Sequence, residues 1–159
     1  MPCFLLDVPA GNVLVTENYH GKIADFGSMK SLLLATSTGT ANQAGSAVSL
    51  TSGVGTPLYM APEVIRGGVY AQAADAWSFG VLLWELMEER SPDLLAELGD
   101  TGRGPTLPLL LAQLDAGSRL KIGEDWPQWS RQLVADCFAT TPDGRPSFNA
   151  MLAIIESAG

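Results

Sequence analysis

Basic residues are scarce in this sequence: nine Lys and Arg stand against seventeen Asp and Glu, for a formal net charge of -8. A surface of that sign repels a phosphate backbone, so nucleic acid is not an expected partner. Cysteine is scarcer still. Cys3 and Cys137 lie far apart with no Cys-x-x-Cys spacing, which argues against a disulfide framework or a cysteine zinc site and fits two free thiols in a reducing, cytoplasmic setting. The single histidine, His20, sits in a Tyr-His-Gly turn with no cysteine or second histidine nearby, and reads as an exposed turn residue. Long hydrophobic runs are missing too. The longest mostly apolar stretch, Trp77 to Met87, is interrupted by Ser78 and Glu85 and falls short of the roughly 18 residues that a membrane span requires. The apolar opening Met1 to Leu6 is short and has no Lys or Arg ahead of it, so it does not make a signal peptide.

What remains is 159 residues of which 47% are hydrophobic, enough for one domain with one core. Residues 13–15 (Val-Leu-Val) and 22–24 (Lys-Ile-Ala) are β-prone runs joined by a turn-rich link, the pattern of a small hairpin. From Ser28 to Gly55 the composition shifts to Ser, Thr, Ala and Gly, which predicts a long loop. After Pro62 helices are expected. Asp75 to Glu88 carries bulky apolar residues on nearly every side, as a helix surrounded by protein does; Trp77 and Trp84, seven apart on one face, should be core. Ser91-Pro92-Asp93 reads as the start of a short helix through Leu98, stopped by the Gly/Pro-rich link Gly99 to Pro105. Further helices are predicted over Leu107–Ala116, Pro127–Phe138 and Ser147–Glu156, with Trp126 and Trp129 packed beneath the second of these. No internal repeat is present.

Chemistry-bearing residues cluster in five ordered motifs. Asp7-Val8-Pro9-Ala10-Gly11-Asn12 puts a carboxylate and a carboxamide on one loop ahead of the first strand. Asp25-Phe26-Gly27 follows the second strand. Then come Gly55-Thr56-Pro57-Leu58-Tyr59-Met60-Ala61-Pro62-Glu63, Asp75-Ala76-Trp77-Ser78-Phe79-Gly80 and Gly144-Arg145-Pro146. Taken singly, Asp7 and Asn12 are as well explained as turn formers. Together and in this order the motifs resemble those of eukaryotic protein kinases: catalytic loop, metal-binding Asp-Phe-Gly, the Ala-Pro-Glu end of the activation segment, start of the central helix, and late arginine. The resemblance covers essentially the whole chain, 1–159, and makes an unrelated helical domain improbable. It implies a mainly α fold with a small β-hairpin, the C-terminal lobe of a kinase beginning within the catalytic loop, with 28–55 as a long activation-loop insertion and the N-lobe absent.

The resemblance also implies roles. Asp7 matches the aspartate that accepts the substrate hydroxyl's proton. Asn12 and Asp25 match two magnesium ligands, oxygen donors suited to a hard cation, and Leu14 the aliphatic residue beneath the adenine of ATP. Phe26 and Gly27 match the regulatory aromatic and its neighbour, and Leu82 and Leu86 match the supports of Leu14 on the central helix. Thr56 would hydrogen-bond Asp7. Asp75 would bond back to the catalytic-loop backbone, and Glu63 would pair with Arg145 under the substrate-binding segment. The Gly55 to Tyr59 sequence resembles serine/threonine and tyrosine-kinase-like families, so the implied reaction is phosphoryl transfer from ATP to protein Ser/Thr hydroxyls. The hydroxyls between Thr36 and Ser52 are candidate phosphosites, although a solvated spacer is the commoner explanation of such a run.

Several positions depart from the family pattern. Leu5 and Leu6 stand where it has His-Arg, so Leu6 offers no guanidinium to a loop phosphate. Pro9 replaces a lysine aimed at the transferring phosphate, and Ser28 follows Gly27 where leucine is frequent. The sequence contains no Gly-rich loop, no Val-Ala-Ile-Lys strand and no helix ahead of the catalytic loop, so ATP and magnesium are expected to bind only if an N-lobe is supplied. Without that helix, apolar surface is expected on Leu82, Leu83 or Leu86. Two functions follow as expectations: a Ser/Thr kinase domain seen as a fragment inactive alone, with a protein substrate, or a catalytically dead lobe serving as a docking module for a protein partner.

Overall fold

The structure is a computed structural model that describes residues 3–4, 10–24, 30–31, 57–67, 72–93 and 106–159. Among these it is mostly helical, with two small antiparallel sheets. Strand β2 (Val13–Val15) pairs with β3 (Gly21–Ile23), with Val13 opposite Ile23, Leu14 opposite Lys22 and Val15 opposite Gly21. The turn between them is closed by Thr16, whose N–H donates to the His20 carbonyl at 2.9 Å while its hydroxyl accepts from the His20 N–H at 3.0 Å. Tyr19 takes a left-handed φ of 59° there. His20 is an exposed turn residue, as its setting in the sequence predicts. The second sheet joins β1 (Cys3–Phe4) to β4 (Lys30–Ser31). The loop expected from Ser28 therefore contains a short strand near its start: pairing with Cys3–Phe4, remote in sequence, supplies order that Lys30–Ser31 has no local propensity to provide. The remainder of that predicted loop, 28–29 and 32–55, lies outside the described residues.

Helix α1 (Pro62–Ile65) opens on proline, whose missing N–H costs nothing in a first turn. The central helix α2 runs from Gln72 to Glu88, starting before the expected Asp75. Its buried residues, from Ala74 and Trp77 to Val81, Leu83 and Trp84, point to more than one side, because other elements surround it. Glu89, at φ 54°, turns the chain out of the helix. Residues 91–93 are not helical, and the rest of the helix predicted through Leu98 lies outside the described residues. Helix α3 (Leu107–Asp115) begins at Thr106, whose hydroxyl accepts from the Leu109 N–H. It ends with Ser118 N–H on the Gln113 carbonyl, Gly117 N–H on the Leu114 carbonyl and Gly117 at φ 91°, a Schellman closure. Helix α4 (Gln128–Cys137) follows Pro127, and α5 (Phe148–Ala158) is capped by the Ser147 hydroxyl.

The core lies where α2 meets α4. Gly80 is what lets them meet: a Cβ there would stand 2.6 Å from the Cys137 Cβ and 3.1 Å from the Phe138 ring. Trp84, Val81, Leu110, Leu133, Val134 and Met151 fill the centre. Trp77 and Trp84 are both buried, and the Trp84 indole donates to the Lys121 carbonyl at 2.8 Å. Trp126 is buried and Trp129 partly so. No helix of the described residues is long and apolar enough to cross a membrane.

Candidate active site

Two groups of residues make up the candidate site, on elements of very different character. The first is the hairpin. Asn12 ends the single 3-10 turn Ala10–Asn12 that leads into β2, and its carbonyl accepts from the Ala24 N–H at 2.7 Å. That bond ties the entry of the hairpin to its exit, bringing Asn12 beside the residue that precedes Asp25 in the chain. Asn12 is half-buried, and Leu14 on β2 is 60% exposed. Asp7, Asp25, Phe26, Gly27 and Thr56 lie outside the described residues.

The second group surrounds the short 3-10 segment Pro57–Tyr59. Glu63, in the first turn of α1, accepts from both terminal guanidinium nitrogens of Arg145, at 2.7 and 2.8 Å. Arg145 also donates to the carbonyls of Ala73 (2.8 Å) and Ala139 (3.0 Å), and its side chain is fully buried. Four bonds from one guanidinium thus join α1, the start of α2 and the end of α4. A planar fork is needed for such a junction, which lysine could not replace. Asp75 is buried in the first turn of α2; of the loop Asp7 to Asn12 whose backbone it is expected to bond, residues 7–9 lie outside the described residues.

Two features escaped the sequence reading. The first is a buried hydrogen bond from the Tyr59 hydroxyl to the Glu85 carboxylate, which joins the 57–59 segment to the middle of α2. A signal existed for it, since a glutamate inside an apolar helix must find a partner. The second is Arg119, in the coil after α3. Its Cζ lies 5.3 Å from the centre of the Trp77 ring, and Arg145 Cζ lies 5.2 Å from the same ring. Burial, and then the nearby Arg145 charge, push the Arg119 pKa down, with Asp115 acting in the other direction. Arg119 bonds mainly to backbone carbonyls, and no residue pattern encodes those.

Of the aliphatic residues assigned to α2, Leu82 and Leu83 are buried whereas Leu86 is 65% exposed, so the expected apolar surface is carried by Leu86.

The family model for protein tyrosine and serine/threonine kinases matches residues 3–155. The chain belongs to the protein kinase family. Among similar proteins, the serine/threonine-protein kinase pakE of Dictyostelium discoideum is 36% identical over 149 residues, covering 93% of this chain and 14% of its own length. A probable LIM domain-containing serine/threonine-protein kinase of the same organism is 30% identical over 142 residues, 89% of this chain and 19% of its own length. The tyrosine-protein kinase JAK3 of Rattus norvegicus is 31% identical over 156 residues, 94% of this chain and 13% of its own length. The kinase chain therefore spans less than a fifth of the length of each of these relatives. Its mainly helical architecture with small antiparallel sheets is that of a kinase-like fold.

Proposed function

We propose that this chain supplies the substrate-binding and metal-binding half of a serine/threonine protein kinase, the C-terminal lobe, and that it transfers phosphate to protein hydroxyls when an N-lobe completes the nucleotide site. The observation that carries this reading is the Asn12–Ala24 hydrogen bond, 2.7 Å long, which draws the two ends of the hairpin together. Asn12 and Asp25 then offer oxygen donors from neighbouring stretches of chain, as a hard divalent cation prefers. Bound magnesium and ATP would supply the transferable phosphoryl group and offset its charge. Leu14, exposed on β2, presents an aliphatic surface to the adenine. Asp7 orients the substrate hydroxyl and takes its proton, with Thr56 holding Asp7. Phe26 and Gly27 follow Asp25 in the chain, Phe26 as the aromatic of the regulatory stack, while Glu63, Arg145 and Asp75 anchor the segments that carry the chemistry.

The relatives include proteins named as serine/threonine kinases and one named as a tyrosine kinase. The Gly55-Thr56-Pro57-Leu58-Tyr59 sequence favours Ser/Thr hydroxyls here. The test is magnesium-dependent transfer from ATP to a degenerate Ser/Thr peptide library by the full-length natural protein and its Asp7→Asn variant. Loss of a general base should lower turnover about 10²–10⁴-fold. Unchanged turnover in Asp7→Asn would overturn the assignment. A second reading, a docking lobe without catalysis, draws on Leu6, Pro9 and the exposed Leu86; it requires the wild-type protein to show no transfer at all.

A further inference from the structure

The structure assigns to Arg119 the role of a positioning residue that acts through the Trp77 indole on the backbone of the Pro57–Tyr59 segment. This rests on the proposal that the segment binds the substrate peptide.

The Trp77 indole N–H donates to the Leu58 carbonyl at 3.1 Å, joining α2 to the Pro57–Tyr59 segment. The direction of that N–H depends on the tilt of the ring, and three groups fix the tilt. Phe138 packs against the ring at 5.2 Å with an interplanar angle of 51°. Arg145 and Arg119 each place a guanidinium near it. The two arginines differ in what holds them. Arg145 is neutralised by Glu63 and fully buried. Arg119 is held by the carbonyls of Leu114 (2.9 Å), Ser118 (2.7 Å) and Phe138 (2.8 Å) and by the Thr140 hydroxyl (2.8 Å). Those partners sit at the ends of α3 and α4, so Arg119 gathers two helix termini, whose last carbonyls favour a cation, and sets the gathered charge on the Trp77 ring. A cation over an indole is an attraction that depends on placement. Movement of α3 or α4 would thus be felt at Leu58, and from there along a segment whose Met60 N–H closes on the Pro57 carbonyl at 3.0 Å.

The deciding experiment is a double-mutant cycle in the full-length protein, crossing Arg119→Lys with Trp77→Phe. Lysine keeps the charge but cannot make the four-bond fork; phenylalanine keeps a ring but has no N–H for Leu58. Two quantities are read: KM for the peptide against KM for ATP, and hydrogen-exchange protection of the Met60 amide against amides of α2 and α4. Each single variant should raise the peptide KM about three- to tenfold, the scale of one net hydrogen bond, and leave the ATP KM unchanged. In the Trp77→Phe background Arg119→Lys should add nothing further, because the route from Arg119 to Leu58 is already cut. Met60 should lose protection in the same non-additive way while α2 and α4 keep theirs. Additive effects would overturn the assignment, as would uniform loss of protection, which means that Arg119 serves stability alone. If the wild-type protein transfers no phosphate, the proposed function fails, and the Met60 cycle still decides the Arg119 linkage.

Discussion

The hairpin and the helical body are built on opposite principles. Leu14, Val15, Tyr19 and Ile23 of residues 13–23 all stand exposed, and the hairpin is held by its own ladder and turn. In the helical body, by contrast, Trp84, Leu133, Val134 and Cys137 are completely buried, and polar side chains such as Arg145 and Glu85 are buried with partners. The contrast separates two tasks. Leu14, proposed to meet the nucleotide, sits on a thin element that leaves its side chain accessible. Residues that anchor the Pro57–Tyr59 segment sit in a dense matrix where a displaced neighbour is costly. A kinase chain divided this way should tolerate change at the hairpin and resist it in the body.

The most severe way to break the contrast is Arg145→Ala. It leaves Glu63 and two carbonyls without their donor, at a cost of about 3–5 kcal/mol, so chemical denaturation should show a domain that is largely unfolded or melts far below wild type. Unchanged thermal stability would remove the anchor from the account. Gly80→Ala comes next. Its Cβ would collide with Cys137 and Phe138, and forcing α2 and α4 apart should cost about 1–3 kcal/mol in urea unfolding.

Cys137 sharpens the comparison through pH. Burial foremost, with the Asp136 charge adding to it and Arg145 opposing it, pushes the thiol pKa from 9.0 up to about 12. The folded state thus holds the proton more tightly than the unfolded chain. Its contribution to stability is complete below pH 9 and should fade as pH rises from there towards 12. Melting temperature measured across pH 8 to 11 should fall more steeply for wild type than for Cys137→Ala, and at pH 8 the folded thiol should react slowly with an alkylating reagent. The smallest effect on stability is expected at the hairpin. Leu14→Ser should shift unfolding by no more than about 0.5 kcal/mol, while raising the KM for ATP wherever the full-length protein is active.

Much of this molecule was legible in the residue order. The run of bulky residues through Trp77 and Trp84 could only be a buried helix. The helix starts read at Leu107, Pro127 and Ser147 hold within a residue, and Val13–Val15 with Lys22–Ala24 marked a hairpin that the structure shifts by one residue at its second strand. Ordered motifs pointed to the kinase family before any coordinate did. These are local signals, carried by periodicity, capping chemistry and short spacings, which neighbouring residues in the chain impose on one another.

Other features depended on what the fold brought together. The β1–β4 pairing needs residues 3–4 and 30–31 to meet, and neither pair is a strong strand former alone. The demand for glycine at position 80 comes from α4, more than fifty residues further along the chain. Leu82 and Leu86, one helical turn apart, differ in burial because only one of them finds protein beside it. Arg119 is the clearest case. Its partners are mainly backbone carbonyls at helix ends, groups that every residue possesses, so no choice of side chains announces them. Sequence determined which segments would become helix and hairpin and which motifs mark the kinase family, because those outcomes follow from local chemistry. Tertiary structure alone decided which cations face Trp77 and which carbonyl the indole reaches, because those contacts exist only once distant helices have packed.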